Sequence, residues 1–364
     1  MRSLFLVFAA LLAAYQSQAQ RLAISPFIDT AQAPIREAVQ FLQTYTGAFQ
    51  NGKTPDFSQY FTPAQCRSAL IPDPLLHAIA SDGNTYLMAD LATIFYAKPS
   101  GKYVHLKTLL AWQTNEVLTP FALVNHYVYA DSGRQRFHTE TEHHADRYRT
   151  VVNGPIYYTF PETIAFNKNR SDSLLQRMRS FENEWGFPAT KPFRYFYAAT
   201  AAELARMKGL DYVVGSDENN PSGYADDESR IIYCQGLGEA YFHEVLHLYL
   251  NPVYGHSPIN HGLIYYLGGS LGVPFKDQLA RLRTYLLAHP DVNLSQYDQV
   301  LSDDKFLHID HVVNGLLCAQ VFRKEGVTGV KRLLRYPDLE SLFRHEYGLE
   351  RPDWDAYLRA LLHS

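Results

Sequence analysis

The chain has 364 residues, 46% apolar and 19% charged, with 21 Phe and 26 Tyr; this supplies two domains with cores and excludes a disordered chain. A formal charge of −4 and a pI near 6.4 provide no basic field for a polyphosphate backbone, so no nucleic acid partner is expected. Cys66, Cys234 and Cys318 lie far apart, form no CxxC pair and permit one disulfide at most.

At the N-terminus Arg2 precedes an apolar run from Leu4 to Ala14, followed by the small and polar stretch Tyr15 to Gln20. These are the three regions of a secretory signal, with Ser17 and Ala19 at the small-residue positions, and they predict cleavage after Ala19. The run is too short to span about 30 Å of hydrocarbon. No cysteine follows it for a lipid anchor, and no later stretch is apolar enough to span a bilayer. A secreted or periplasmic chain is expected, with no stable membrane insertion after signal cleavage.

The spacing of Ile35, Ala38, Phe41, Leu42, Tyr45 and Phe49 predicts a helix that ends at the Gln50-Asn51-Gly52-Lys53 turn. Tyr103 to Trp112 and Phe121 to Tyr129 read as strands, and the polar stretch Asp131 to Asp146 as a domain boundary. Strands and helices then alternate. Pro155 to Ala165 and Pro192 to Ala198 are extended, Ser171 to Phe187 and Ala201 to Gly209 helical, and Arg230 to Cys234 is a short strand. From Leu237 onward the pattern is mostly helical, broken at Pro252, Pro258, Pro274, Pro290, Pro337 and Pro352. The expected division is a signal peptide over 1–19, an α+β accessory domain over 20–149 and a second domain over 150–364.

The chemistry concentrates in His243-Glu244-Val245-Leu246-His247, an HExxH inside an apolar helical run that is expected to stop at Asn251-Pro252. Residues four apart share a helix face, so two imidazoles can converge on one zinc ion. Glu244 can then point its carboxylate at a water in the open position, which zinc acidifies and the carboxylate deprotonates. The Ile231 to Cys234 run just upstream is a candidate edge for a substrate groove. Other histidines read first as ordinary residues: His138, His143 and His144 as a solvated turn, and His256 as a loop residue, with Val253 where a metzincin would need histidine.

Tyr241 to Ser270 resembles the gluzincin branch of the zincin metallopeptidases, in particular exported bacterial peptidase MA-like proteins. In those proteins a second helix opens with an Asn-Glu-Gly-like motif and closes near a Gly-Gly-Ser-like end; here the chain reads Asn260-His261-Gly262 and Gly268-Gly269-Ser270. The alternation from about Thr150 also resembles the family's α/β half. The resemblance implies an α+β fold in which a small mixed sheet leads into the HExxH helix and a helical C-terminal part. It also implies Zn²⁺ as cofactor, a peptide or protein substrate, and a third metal ligand at position 261. The family has glutamate there and this chain has His261, itself a good zinc ligand. His308, His311, Tyr254 and Tyr265 are candidates for stabilising an oxyanion. The expected function is zinc-dependent hydrolysis with Glu244 as general base; the alternative is an inactive zincin-fold binding or scaffold protein.

Overall fold

The computed structural model describes residues 22–49, 54–77, 89–214, 220–304 and 306–363. The expected signal peptide and its cleavage point lie outside these residues. The described chain is α+β, with two mixed sheets and eleven helices. It divides into two compact units, one of residues 1–148 with 200–219 and the other of 149–199 with 220–364. Residues 200–219, placed in the second domain by the sequence, thus belong with the first. No helix among the described residues is long and apolar enough to cross a membrane.

In the first unit the helix Ala33–Ala48 buries Ile35, Ala38, Val39, Leu42 and Tyr45, the stripe expected of a 3.6-residue period. Its sheet runs in the order Leu22–Ile24, Leu91–Ser100, Tyr103–Thr114, Val117–Asp131, Arg134–His138. The first pair is parallel and the rest antiparallel, and Leu210–Val213 also pairs with Val117–Asp131. The polar stretch read as a boundary is built into this unit. Ser132 and Gly133, both at positive φ, turn a hairpin. A capping box between Thr139 and Glu142 then starts the short helix Glu140–His143.

The second unit carries the sheet Ser222–Asp226, Ile231–Gln235, Phe193–Ala198, Ile156–Pro161, Tyr148–Asn153. Its first pair is antiparallel and the next two pairs are parallel. Ser222–Asp226 is therefore an edge strand, and Ile231–Gln235, which contains the run expected to border a substrate groove, is fully buried one position in. A prolyl and glycyl polar run, Asn219 to Gly223, hid the true edge from a reading that looks for β-branched residues. The helix Lys168–Trp185, capped by Asn167 and ended by Gly186 in the left-handed region, packs Phe181 against Phe242 and Tyr249.

Four further helical segments matter for position: Phe242–Tyr254, which carries HExxH; Asn260–Gly268; Phe275–Ala288; and the long Ile309–Leu333, which is broken at Gly326 (φ 62°). The first of these runs past Pro252 rather than stopping there. Proline forfeits a single N–H in the last turn, and Gly255 N–H still donates to Asn251 O at 2.8 Å. All three cysteines are free thiols, so the one permitted disulfide does not form.

Candidate metal centre

Two glycines at positive φ, Gly236 (70°) and Gly238 (65°), swing the chain from the buried strand Ile231–Gln235 into the HExxH helix. The buried Glu239 carboxylate secures this corner, accepting from Asn167 N–H at 2.8 Å and from the Tyr197 hydroxyl at 3.2 Å. His243 and Glu244 consequently enter the helix already inside the core.

The tautomers of the two motif histidines are fixed by their partners. His243 Nδ1–H donates to Gly269 O at 2.6 Å. Asn260 donates its amide to Asn251 Oδ1 at 3.0 Å, which marks that oxygen as an acceptor, and His247 Nδ1–H donates to it at 3.2 Å. Both Nε2 atoms are left as bare lone pairs, 3.4 Å apart. Burial pushes the His243 pKa down to about 3, and the neighbouring His247 ring adds to the effect, so protonation does not relieve the contact at neutral pH. A shared cation does. Two bonds of about 2.0–2.1 Å at a tetrahedral angle span about 3.4 Å, so the pair fits zinc.

His261 stands in the first turn of the helix Asn260–Gly268, its ring 4.9 Å from that of His247 and 5.7 Å from that of His243. One donor atom from each of the three lies within 4.8 Å of the others. The crossing is close because position 268 is glycine: a Cβ there would meet His243 Cα at 2.9 Å. Burial, then the His311, His247 and His243 rings, hold the His261 pKa far below its ordinary value. The three neutral imidazoles form a donor set suited to zinc.

Glu244 is buried, and burial alone pushes its carboxyl up to about 8. A cation held beside it would oppose that push and favour the ionised carboxylate. The edge strand passes directly over it: a Cβ on Gly223 would lie 2.5 Å from Glu244 Oε1 and from the Tyr241 ring. The Tyr241 ring in turn stacks on His243 at 5.4 Å and 7°.

Of the expected oxyanion candidates, Tyr265 lies 5.4 Å from the His243 ring and 5.7 Å from that of His261, ring centre to ring centre. Burial pushes its hydroxyl up to about 12, which keeps it a proton donor at neutral pH. The His311 ring is 4.1 Å from His261, and the His308 ring 6.3 Å from Tyr265. Tyr254 ends the HExxH helix and His256 is exposed beyond it. His138, His143 and His144 belong to the first unit, and His243, His247 and His261 to the second.

Sequence reasoning missed Asn251, Gly223 and Asp227; burial lowers the His247 pKa, and the Asn251 hydrogen bond and the Asp227 charge oppose that shift only in part. Asn251 had a readable signal, its position four residues after His247. Gly223 and Asp227 had none, because Gly223 reaches the site through strand pairing and Asp227 through the turn that follows that strand. Comparison with family models, with curated proteins and with solved structures finds no match to this chain.

Proposed function

We propose that this protein is a zinc-dependent hydrolase, most simply a metallopeptidase of the gluzincin type working outside the cytoplasm. The observation that carries the reading is the pair of bare Nε2 atoms 3.4 Å apart, each with its other nitrogen committed, beside a buried glutamate. Zinc held by His243, His247 and His261 would supply Lewis acidity, lowering the pKa of water toward about 7 and polarising a carbonyl. Glu244 takes the proton from the attacking water and passes it to the leaving amine. Tyr265, neutral and within the same grouping, donates a hydrogen bond to the carbonyl oxygen as charge develops on it. The strand Ser222–Asp226, at the end of its sheet and over Glu244, suits an extended substrate laid alongside it, which supports a peptide or protein. Export is supported by the N-terminal segment read from the sequence.

Incubating zinc-reconstituted protein with a mixed peptide library tests the proposal. Cleavage by the parent that is lost in Glu244→Gln is the expected result. A zinc-loaded parent that cleaves nothing would favour the inactive scaffold instead.

A further inference from the structure

Beside the three histidines stands a second set of ligand-type side chains that the proposed hydrolysis leaves without a role as ligands: His308, Asp310 and His311. His308 precedes the long helix in an extended conformation (φ −96°, ψ 99°), and its ring folds back to within 5.3 Å of His311, 26° from parallel. Asp310 Oδ2 lies 3.3 Å from His311 Nε2. One donor atom from each of the three falls within 4.8 Å of the others. His311 Nδ1 is buried with no hydrogen-bond partner among the described residues. A buried ring nitrogen without a partner normally costs stability, and it is tolerated where something else satisfies the set.

The placement of this set follows from two glycines. A Cβ on Gly262 would come within 2.3 Å of Asn314 Cβ, and one on Gly315 within 2.9 Å of Gly262 O. The long helix therefore crosses the helix Asn260–Gly268 at backbone contact, one residue after His261 and one turn after His311. The two imidazole rings end 4.1 Å apart, and the Tyr265 ring sits 4.9 Å from His311 and 5.4 Å from His243.

We infer that His308, Asp310 and His311 bind a second divalent cation next to the one assigned to His243, His247 and His261. Two imidazoles and one carboxylate are a donor set for Zn²⁺, Co²⁺ or Mn²⁺ rather than for Ca²⁺ or Mg²⁺. A second cation there would supply a further Lewis acid for a substrate oxygen. The inference stands on its own donors and does not require that the protein hydrolyse anything.

Metal-stripped full-length chain titrated with Zn²⁺, with bound metal counted after removal of the excess, tests it. The parent should bind two equivalents, the His308→Ala/Asp310→Ala variant one, and the His243→Ala/His247→Ala variant one. Asp310→Asn, a near-isosteric change at a partly exposed position, should weaken only the second binding event, by tenfold or more. With Co²⁺ as probe, the parent should show the weakened paramagnetic signal of two coupled ions, and the His308→Ala/Asp310→Ala variant the full signal of one. A parent that binds a single equivalent, lost in His243→Ala/His247→Ala, overturns this inference and leaves the hydrolytic centre intact. Two equivalents retained in both His308→Ala/Asp310→Ala and Asp310→Asn overturn it equally.

Discussion

Each unit of the molecule gathers histidines, and the two gatherings are built in opposite ways. In the first unit the rings are used as flat surfaces: His143 lies on Tyr127 at 3.8 Å and 14°, and His138 on Tyr103 at 5.0 Å and 15°. His144 Nε2 is committed to Tyr127 OH at 3.2 Å and to Glu140 at 3.5 Å. In the second unit His243 and His247 turn their Nε2 edges toward each other, with both Nδ1 atoms tied back. Only the second arrangement brings three donors together; the groups of ligand-type residues found among the described residues both lie there. The same side chain packs by its face in one place and in the other presents a donor nitrogen that could hold a metal, with His243 and His247 aimed by the partners of their Nδ1 atoms.

The strongest way to break that contrast is to remove each gathering in turn. His243→Ala/His247→Ala should lose one full equivalent of tightly bound zinc, counted by elemental analysis. His138→Ala/His143→Ala/His144→Ala should keep the parental amount. Loss of zinc in the triple variant would put coordination in the wrong unit.

Glu244→Gln should retain zinc while hydrolysis falls by about 10²–10⁴-fold, because an amide does not accept the proton from water. Steady-state rates beside a zinc assay separate the two outcomes. His261→Ala should weaken zinc binding strongly, and His261→Glu should hold it by restoring a carboxylate ligand; competition with a chromophoric chelator reads both affinities. A smaller loss, about 10–100-fold in affinity, is expected for Asn251→Ala, since it frees the His247 ring to rotate.

An effect of similar size, on stability rather than on zinc, belongs to the first gathering and concerns pH. Burial pushes the Glu140 carboxyl up to about 6 from an ordinary 4.5. Its folded pKa is the higher one, so its stabilising contribution is complete below about pH 4.5 and disappears as pH rises through 6. Glu140→Gln should therefore stabilise the protein at pH 8 by on the order of 2 kcal/mol relative to the parent, an advantage that vanishes near pH 4. Thermal melts at the two pH values measure it. An advantage that grew toward acid pH would reverse the assigned cause.

The helices were legible because their signals are local. The buried stripe of Ile35, Ala38, Leu42 and Tyr45 marks one, and the helix expected over Ser171 to Phe187 forms as Lys168–Trp185, its caps Asn167 and Gly186 lying outside that reading. The pair His243 and His247 was legible for the same reason, since i and i+4 meet within a single helix. The edge strand was not, because Ser222 to Asp226 becomes a strand only by pairing with Ile231 to Gln235. Neither were the approaches of His311 to His261 and of Gly223 to Glu244, which depend on glycines that matter only once two elements cross. The return of 200–219 to the first unit was likewise invisible, as its strand finds a partner more than eighty residues upstream.

In the proposed function His243, His247 and His261 hold zinc beside Glu244. Anomalous diffraction at the zinc edge from zinc-loaded crystals tests it most directly. A peak is expected about 2.0–2.1 Å from Nε2 of His243 and of His247, with the His261 ring completing the protein ligands. Loaded crystals with no peak between those two nitrogens, or with the zinc on the first unit's histidines, would contradict it.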